Sequence, residues 1–141
     1  MHPNDLLNKT KILTASYIGN KVFSDPLVKE FIINLNRKDQ LFNKGIDYQG
    51  SPLPLYKPDS KKRPGDRYDL FDKGVFYKSY EVIPQSDGSA ILRANTIRND
   101  FDIQKISSQY IVGLTEENHK KLVEFCREII AKIIREVVGS L

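Results

Sequence analysis

Four of the chain's seven prolines, Pro52, Pro54, Pro58 and Pro64, fall between residues 45 and 67, together with Gly45, Gly50 and Gly65. Each proline lacks an N–H donor and fixes φ, so this stretch supports neither a long helix nor a central strand. It divides the chain into two structured parts joined by a long loop. Loops longer than ~15 residues inside a compact domain are uncommon and are usually functional or disordered. This one also carries Tyr56, Lys57, Lys61, Lys62, Arg63 and Arg67. We read residues 46–67 as an extended basic arm of a single domain spanning 1–141. A chain of 141 residues buries roughly 68% of its unfolded surface, enough for one core without covalent staples.

Before the arm, residues 4–18 form a weak helical pattern, with Leu6, Leu7, Leu13, Tyr17 and Ile18 on one face. Thr10, Thr14 and Ser16 lower its propensity, and Gly19-Asn20 is expected to break it. A clearer helix follows. Ser24 or Asp25 can cap it, Pro26 is tolerated in the first turn, and Leu27, Val28, Phe31, Ile32 and Leu35 recur at helical spacing. The helix is expected to run to about Lys44 and to end on a left-handed Gly45. Its polar run Asn34, Asn36, Arg37, Lys38, Asp39 and Gln40 is expected to face water or a partner.

After the arm, Val75 to Ile83 alternate with aromatic and β-branched residues, which predicts a strand. Ser86-Asp87-Gly88-Ser89 reads as a turn and Ala90–Ala94 as the returning strand of a hairpin. Ile103, Ile106 and Tyr110-Ile111-Val112 suggest further short strands. A final helix opens with Thr115 as N-cap and Glu116 and Glu117 opposing the positive end of its dipole. Leu122, Cys126, Ile129, Ile133 and Val137 line one face. Val123, Phe125, Ile130, Ile134 and Val138 widen it, which predicts contact with a sheet and with a second surface beside it; Gly139 closes the helix. The fold class is therefore α+β: a small antiparallel sheet built on a central hairpin, packed by N-terminal and C-terminal helices.

Little in the sequence points to catalysis or to a cofactor. One cysteine, Cys126, excludes an intrachain disulfide and a cysteine-based zinc site, and suits a reducing compartment. Cys126 falls on the apolar stripe, as a buried inert thiol. His2 lies near a terminus, and His119 falls in the first turn of a helix, as a solvated residue. Asp66, Asp69 and Asp72 have a spacing that can hold a cation, but loop and capping roles explain them as well. No base, nucleophile or electrophile stands beside them, so no enzyme, metal or cofactor is assigned. No apolar run approaches the ~20 residues that span a bilayer. No basic region followed by an apolar core opens the chain, so no signal peptide is expected.

The arm admits three readings. Its cations beside Tyr56 and Tyr68 can contact phosphates and stack on bases, making the chain a small nucleic-acid-binding module. They can simply keep a solvated loop soluble, or dock on an acidic neighbouring subunit. The net charge of +4 is too mild to decide among these.

The segment Leu70-x-Asp-x-Gly-x-Phe-x-x-Ser79 resembles a pattern in small phage tail-completion and head–tail joining proteins. In those, a Leu-x-x-Thr-Gly-x-Leu-x-x-Ser-like stretch precedes a hairpin; here Lys73 stands in place of the threonine. Gln40-Leu-Phe-Asn-Lys-Gly45, Gly50, Tyr56-x-Pro58 and the lysine-rich loop precede it in matching order. Ile111-Val-Gly-Leu-Thr-Glu-Glu-Asn118 is similar to a phrase that introduces the C-terminal helix in proteins of Bacteroides-group phages and prophages. The resemblance covers about residues 28–138. It implies a virion structural protein of the neck or tail, assembled in the host cytoplasm as a ring of copies beside portal, neck or tail proteins. Contact with packaged DNA would be incidental. Read physically, Asp72 bonds backbone N–H groups in a turn, Gly74 permits an unusual φ, and Phe76 anchors the first strand, so Leu70, Asp72, Gly74, Phe76 and Ser79 serve architecture.

Overall fold

The computed structural model describes residues 13–55, 74–98 and 101–139. The arm residues Tyr56, Lys57, Lys61, Lys62, Arg63 and Arg67, with Asp66, Asp69, Leu70 and Asp72, lie outside the described residues. The described chain is α+β. N-terminal helices and a long C-terminal helix pack on a two-stranded antiparallel hairpin.

Helix α1 spans Ala15–Ser24, and the Thr14 hydroxyl caps it by accepting the Tyr17 N–H at 3.1 Å. It runs through Gly19-Asn20, where the sequence predicts a break. The reason is tertiary. A Cβ at Gly19 would collide with the Gly88 carbonyl, and one at Gly88 would lie 2.5 Å from the Ala15 carbonyl oxygen. Two glycines thus let the helix and the hairpin turn touch backbone to backbone.

Helix α2 spans Pro26–Asn34. Asp25 caps it, its carboxylate accepting the Leu27 N–H at 2.8 Å, with Pro26 in the first turn. We expect Asp25→Ala to cost about 1 kcal/mol. A thermal melt should then drop by about 4 °C, and an unchanged melt would contradict the cap. The helix continues without a gap as a π-helical segment, Leu35–Lys44, and ends on Gly45 at φ 63. Its end is as predicted; its inner face is not. Asn36 and Gln40 are fully buried, not turned to water or a partner. A π-helix bonds i to i+5, so residues five apart stack in one row. Leu35, Gln40 and Gly45 form one inward row, with Asn36 and Leu41 beside it, and all five are buried.

The start of the Pro-rich stretch packs into the fold. Leu53 and Asp47 are buried, and Ile46 bridges Pro52. The chain reappears at Gly74, whose φ of 72 starts a helical turn, α3, spanning Val75–Lys78. The strand predicted from Val75 therefore begins only at Glu81. Adjacent Phe76 and Tyr77 are both buried, as is Tyr80. A strand would send neighbours to opposite faces; a helical turn puts all three on one side. Phe76 anchors the core as expected, but from a turn of helix.

Strand β1, Glu81–Pro84, pairs antiparallel with β2, Ala90–Arg93. The predicted turn joins them: Gln85 N–H donates to the Ser89 carbonyl at 2.8 Å, and Asp87 accepts from the Ser89 N–H. Val82 and Leu92 face the helices, while Ile83 and Ile91 pair on the outer face. Beyond the hairpin, β3 (Ile97–Arg98) and β4 (Phe101–Asp102) make a two-residue pair, and Ile103–Ile106 form a helical turn, α4. The strands suggested at Ile103, Ile106 and Tyr110-Ile111-Val112 do not form. Asp102 caps α4 instead by accepting the Gln104 N–H, and Ile111 is fully buried from an irregular segment.

Helix α5, Glu116–Gly139, opens on Thr115, whose hydroxyl accepts the Asn118 N–H at 3.2 Å. Its Phe125 ring stacks on Phe31 with centroids 4.1 Å apart. Leu122, Phe125, Cys126, Ile129, Ile130 and Ile133 pack on Val22, Val28, Ile32 and Val82. A second cluster joins Leu41, Leu53, Phe76, Tyr77, Tyr80, Ile103 and Ile111. Ile33 and Leu92 touch both clusters, which makes one continuous interior.

Candidate functional site

The most organised polar feature is buried between the π-helical segment and residues 111–118. The π segment points Asn36 and Gln40 inward, one turn apart. Asn36 Nδ2 donates to the Ile111 carbonyl at 2.9 Å. Its Oδ1 accepts from Gly113 N–H at 3.1 Å and from the Tyr80 hydroxyl at 2.8 Å. Gln40 Nε2 donates to the Gly113 carbonyl at 2.9 Å. Its Oε1 accepts from Thr115 N–H at 2.9 Å and from Asn118 Nδ2 at 2.8 Å. Asn118 Nδ2 also reaches the Leu35 carbonyl and Asp39 Oδ2.

Asn36 and Gln40 replace the partners that a β-ladder would have supplied to residues 111–115. Buried backbone groups must be paired, and an irregular segment pairs them through side chains. Burial pushes the Tyr80 hydroxyl well above its ordinary pKa, with nearby Tyr77 adding to the rise, so it stays a neutral donor to Asn36. The cluster is three neutral amides and a neutral phenol, and the arrangement positions the start of α5.

An open groove of about 530 Å³ lies on the other side of the π segment, lined by Asn34, Arg37, Lys38, Phe42, Gly74, Tyr77 and Lys78. Arg37 donates to the Tyr77 carbonyl at 2.6 Å and to Asn34 Oδ1 at 3.3 Å, which fastens α3 to the π segment. Phe42 meets Tyr77 edge to face, with centroids 6.4 Å apart.

Of the motif residues, Gly74 takes the unusual φ expected of it, and Phe76 is 1% exposed in the core. The Ser79 hydroxyl donates to the Phe76 carbonyl at 2.6 Å and accepts the Asn95 N–H at 2.9 Å, so it ties α3 to the end of β2. Cys126 is buried; burial, then the nearby Asp25 carboxylate, push its thiol pKa up and away from reactivity. His119 is exposed. Among the described residues no group of three or more His, Cys, Asp or Glu can hold a metal, and no helix is long and apolar enough to cross a membrane.

Sequence reasoning missed Asn36, Gln40 and Asn118 as inward residues. One signal was present: Asn36, Gln40 and Asn118 are uncharged amides set among charged neighbours. No protein-family model, curated protein or solved structure matches the chain.

Proposed function

We propose that the chain is a structural subunit of a tailed-phage particle, placed in the neck or tail and acting by assembly rather than catalysis. One observation carries this reading. The separate stretches that bear the resemblance meet in a single buried unit. Gln40 bonds Gly113, Thr115 and Asn118, while Leu41, Phe76 and Ile111 share one core cluster. Their meeting in one body supports reading them as parts of a single assembly unit.

The same unit holds the chain on either side of the basic residues: Leu53, before Tyr56, and Phe76, after Arg67, are buried together. A folded body carrying a basic stretch of sequence is a suitable building block for a ring, in which each copy meets the next through a contact that closes by rotation. The partners are other copies of the chain and adjacent portal, neck or tail proteins. The nucleic-acid reading rests on the arm cations alone, and steeply salt-dependent DNA binding would be its mark.

Deleting the gene in phage-producing cells should leave filled heads with unjoined or incomplete tails. Mass spectrometry of separated heads and tails should find the chain in the neck or tail fraction in many copies per particle. Normal infectious particles after deletion, or particles without the chain, would overturn the proposal.

A further inference from the structure

We infer that the outward row of the long helix formed by α2 and the π segment is a dimer face. Two copies of this chain meet there antiparallel about a two-fold axis at Asn34, with Glu30 of each copy opposite Lys38 of the other. The inference goes beyond the assembly role above and does not depend on it.

The row comes from the change of pitch. Pro26, Glu30, Asn34, Lys38 and Phe42 are spaced by four along one uninterrupted helix, Pro26–Asn34 followed by Leu35–Lys44. A step of four overshoots a turn of the α-helix and falls short of a turn of the wider π-helix. The two drifts oppose each other, so the row stays straight. Pro26, Glu30, Lys38 and Phe42 are exposed, with Asn34 half-buried at the centre. Leu27 lies beside Pro26 at 64% exposure, and Phe42 is 49% exposed at the other end.

Charge is divided along this row. Glu30 stands on one side of Asn34 and Lys38 on the other, and neither forms an ion pair among the described residues. Lys38 also lines the open groove with Arg37 and Lys78, and no carboxylate shares that lining. Lys29, half-buried, points away from the row.

The fitting occupant is a second copy, because of this division of charge. An acidic protein or a phosphate backbone would suit Lys38 but would meet Glu30 with like charge. A second copy turned about the two-fold axis presents the opposite sign at both positions, and each ion pair occurs twice by symmetry. Glu30 of the second copy then reaches the rim of Arg37, Lys38 and Lys78, while its Pro26 and Leu27 cover Phe42. On the axis, Asn34 Oδ1 accepts from Arg37 at 3.3 Å, and its Nδ2 has no acceptor among the described residues. Asn34 of the second copy supplies one. The face is small, so the contact is concentration-dependent rather than obligate.

A charge swap tests the pairing. By sedimentation, Glu30→Lys and Lys38→Glu should each raise the dimer dissociation constant about tenfold or more, because each places two like-charge pairs in the face. An equimolar mixture of the two variants should restore dimer to the level of the unaltered chain, since each supplies the charge the other lost. Glu128→Lys, exposed on α5, should leave the dissociation constant unchanged. Asn34→Cys should give a covalent dimer under mild oxidation, about tenfold more than Asn20→Cys, because only the axial position meets its own copy. The native Cys126 is buried and does not compete. Circular dichroism checks that each variant keeps the fold. A chain that stays monomeric at every concentration, a mixture no better than its parent variants, or equal cross-linking at positions 34 and 20 would overturn the inference. So would a monomeric chain whose DNA binding at low salt is abolished by Lys38→Glu, which would assign the cations to nucleic acid. A dimer by these measures combined with particles that lack the chain would sink the phage reading and leave this one standing.

Discussion

Gln40→Ala is expected to destabilise the fold by about 4 kcal/mol, from the groups it would leave unpaired. Three are at stake: the Gly113 carbonyl, the Thr115 N–H and one bond of Asn118 Nδ2, all at 2.8–2.9 Å from Gln40. Leaving a buried donor or acceptor unsatisfied costs about 1–3 kcal/mol each, and Asn118 Nδ2 retains other partners, which lowers its share. Gln40 is fully buried, so water does not replace the lost bonds without the segment moving. A cavity contributes too, and Gln40→Met separates the terms. It keeps most of the volume but none of the hydrogen bonding, and should cost nearly as much as alanine. Urea denaturation of both variants measures this. A loss below about 1 kcal/mol for alanine would show that residues 111–118 hold their path without Gln40.

Gly19→Ala should cost about 3 kcal/mol, in the range of strongly destabilising single substitutions. The sign is the informative part. In an ordinary helix interior, alanine in place of glycine gains about 0.5–1 kcal/mol. Here the new methyl would strike the Gly88 backbone, which cannot rotate away as a side chain could. Gly88 is itself held at φ 91 by the turn, so the hairpin must shift as a unit against α1. The neighbouring Asn20 is exposed on the same helix, and Asn20→Ala should be neutral or slightly stabilising. A stabilised Gly19→Ala would mean that α1 and the hairpin turn are not in contact.

Both predictions fall on residues that sequence reasoning placed elsewhere. Gln40 was expected at the surface because it sits in a run with Arg37, Lys38 and Asp39, and a period of 3.6 gives that run an outer face. A π-helix turns less per residue and carries Gln40 inward, and nothing local in the sequence announces that change of pitch. Gly19 was expected to end a helix because glycine weakens helices. What the position needs is the absence of a side chain, and that need is set by Gly88, 69 residues away in sequence.

Features whose physics is local were legible in the sequence. Asp25 with Pro26 starts α2, Gly45 ends the π segment, Asp87 and Gly88 close the hairpin, and Thr115 caps α5, each through bonds spanning a few residues. Most of the apolar stripe of α5 was legible as well, since periodicity marks a face to be covered: Leu122, Phe125, Cys126, Ile129, Ile130 and Ile133 are packed, whereas Val123 and Ile134, read as widening it, are exposed. Tertiary structure decided the rest. It made Val75–Lys78 a helical turn, because Phe76, Tyr77 and Tyr80 all had to enter one core. It left Tyr110–Val112 without a ladder: the Asn36 amide bonds the Ile111 carbonyl and the Gly113 N–H, the Gln40 amide bonds Gly113 and Thr115 beyond it, and the Tyr48 N–H bonds the Tyr110 carbonyl. The sequence by itself thus determined where elements begin and end. Which residues face inward depended on partners that only the folded chain brings within reach.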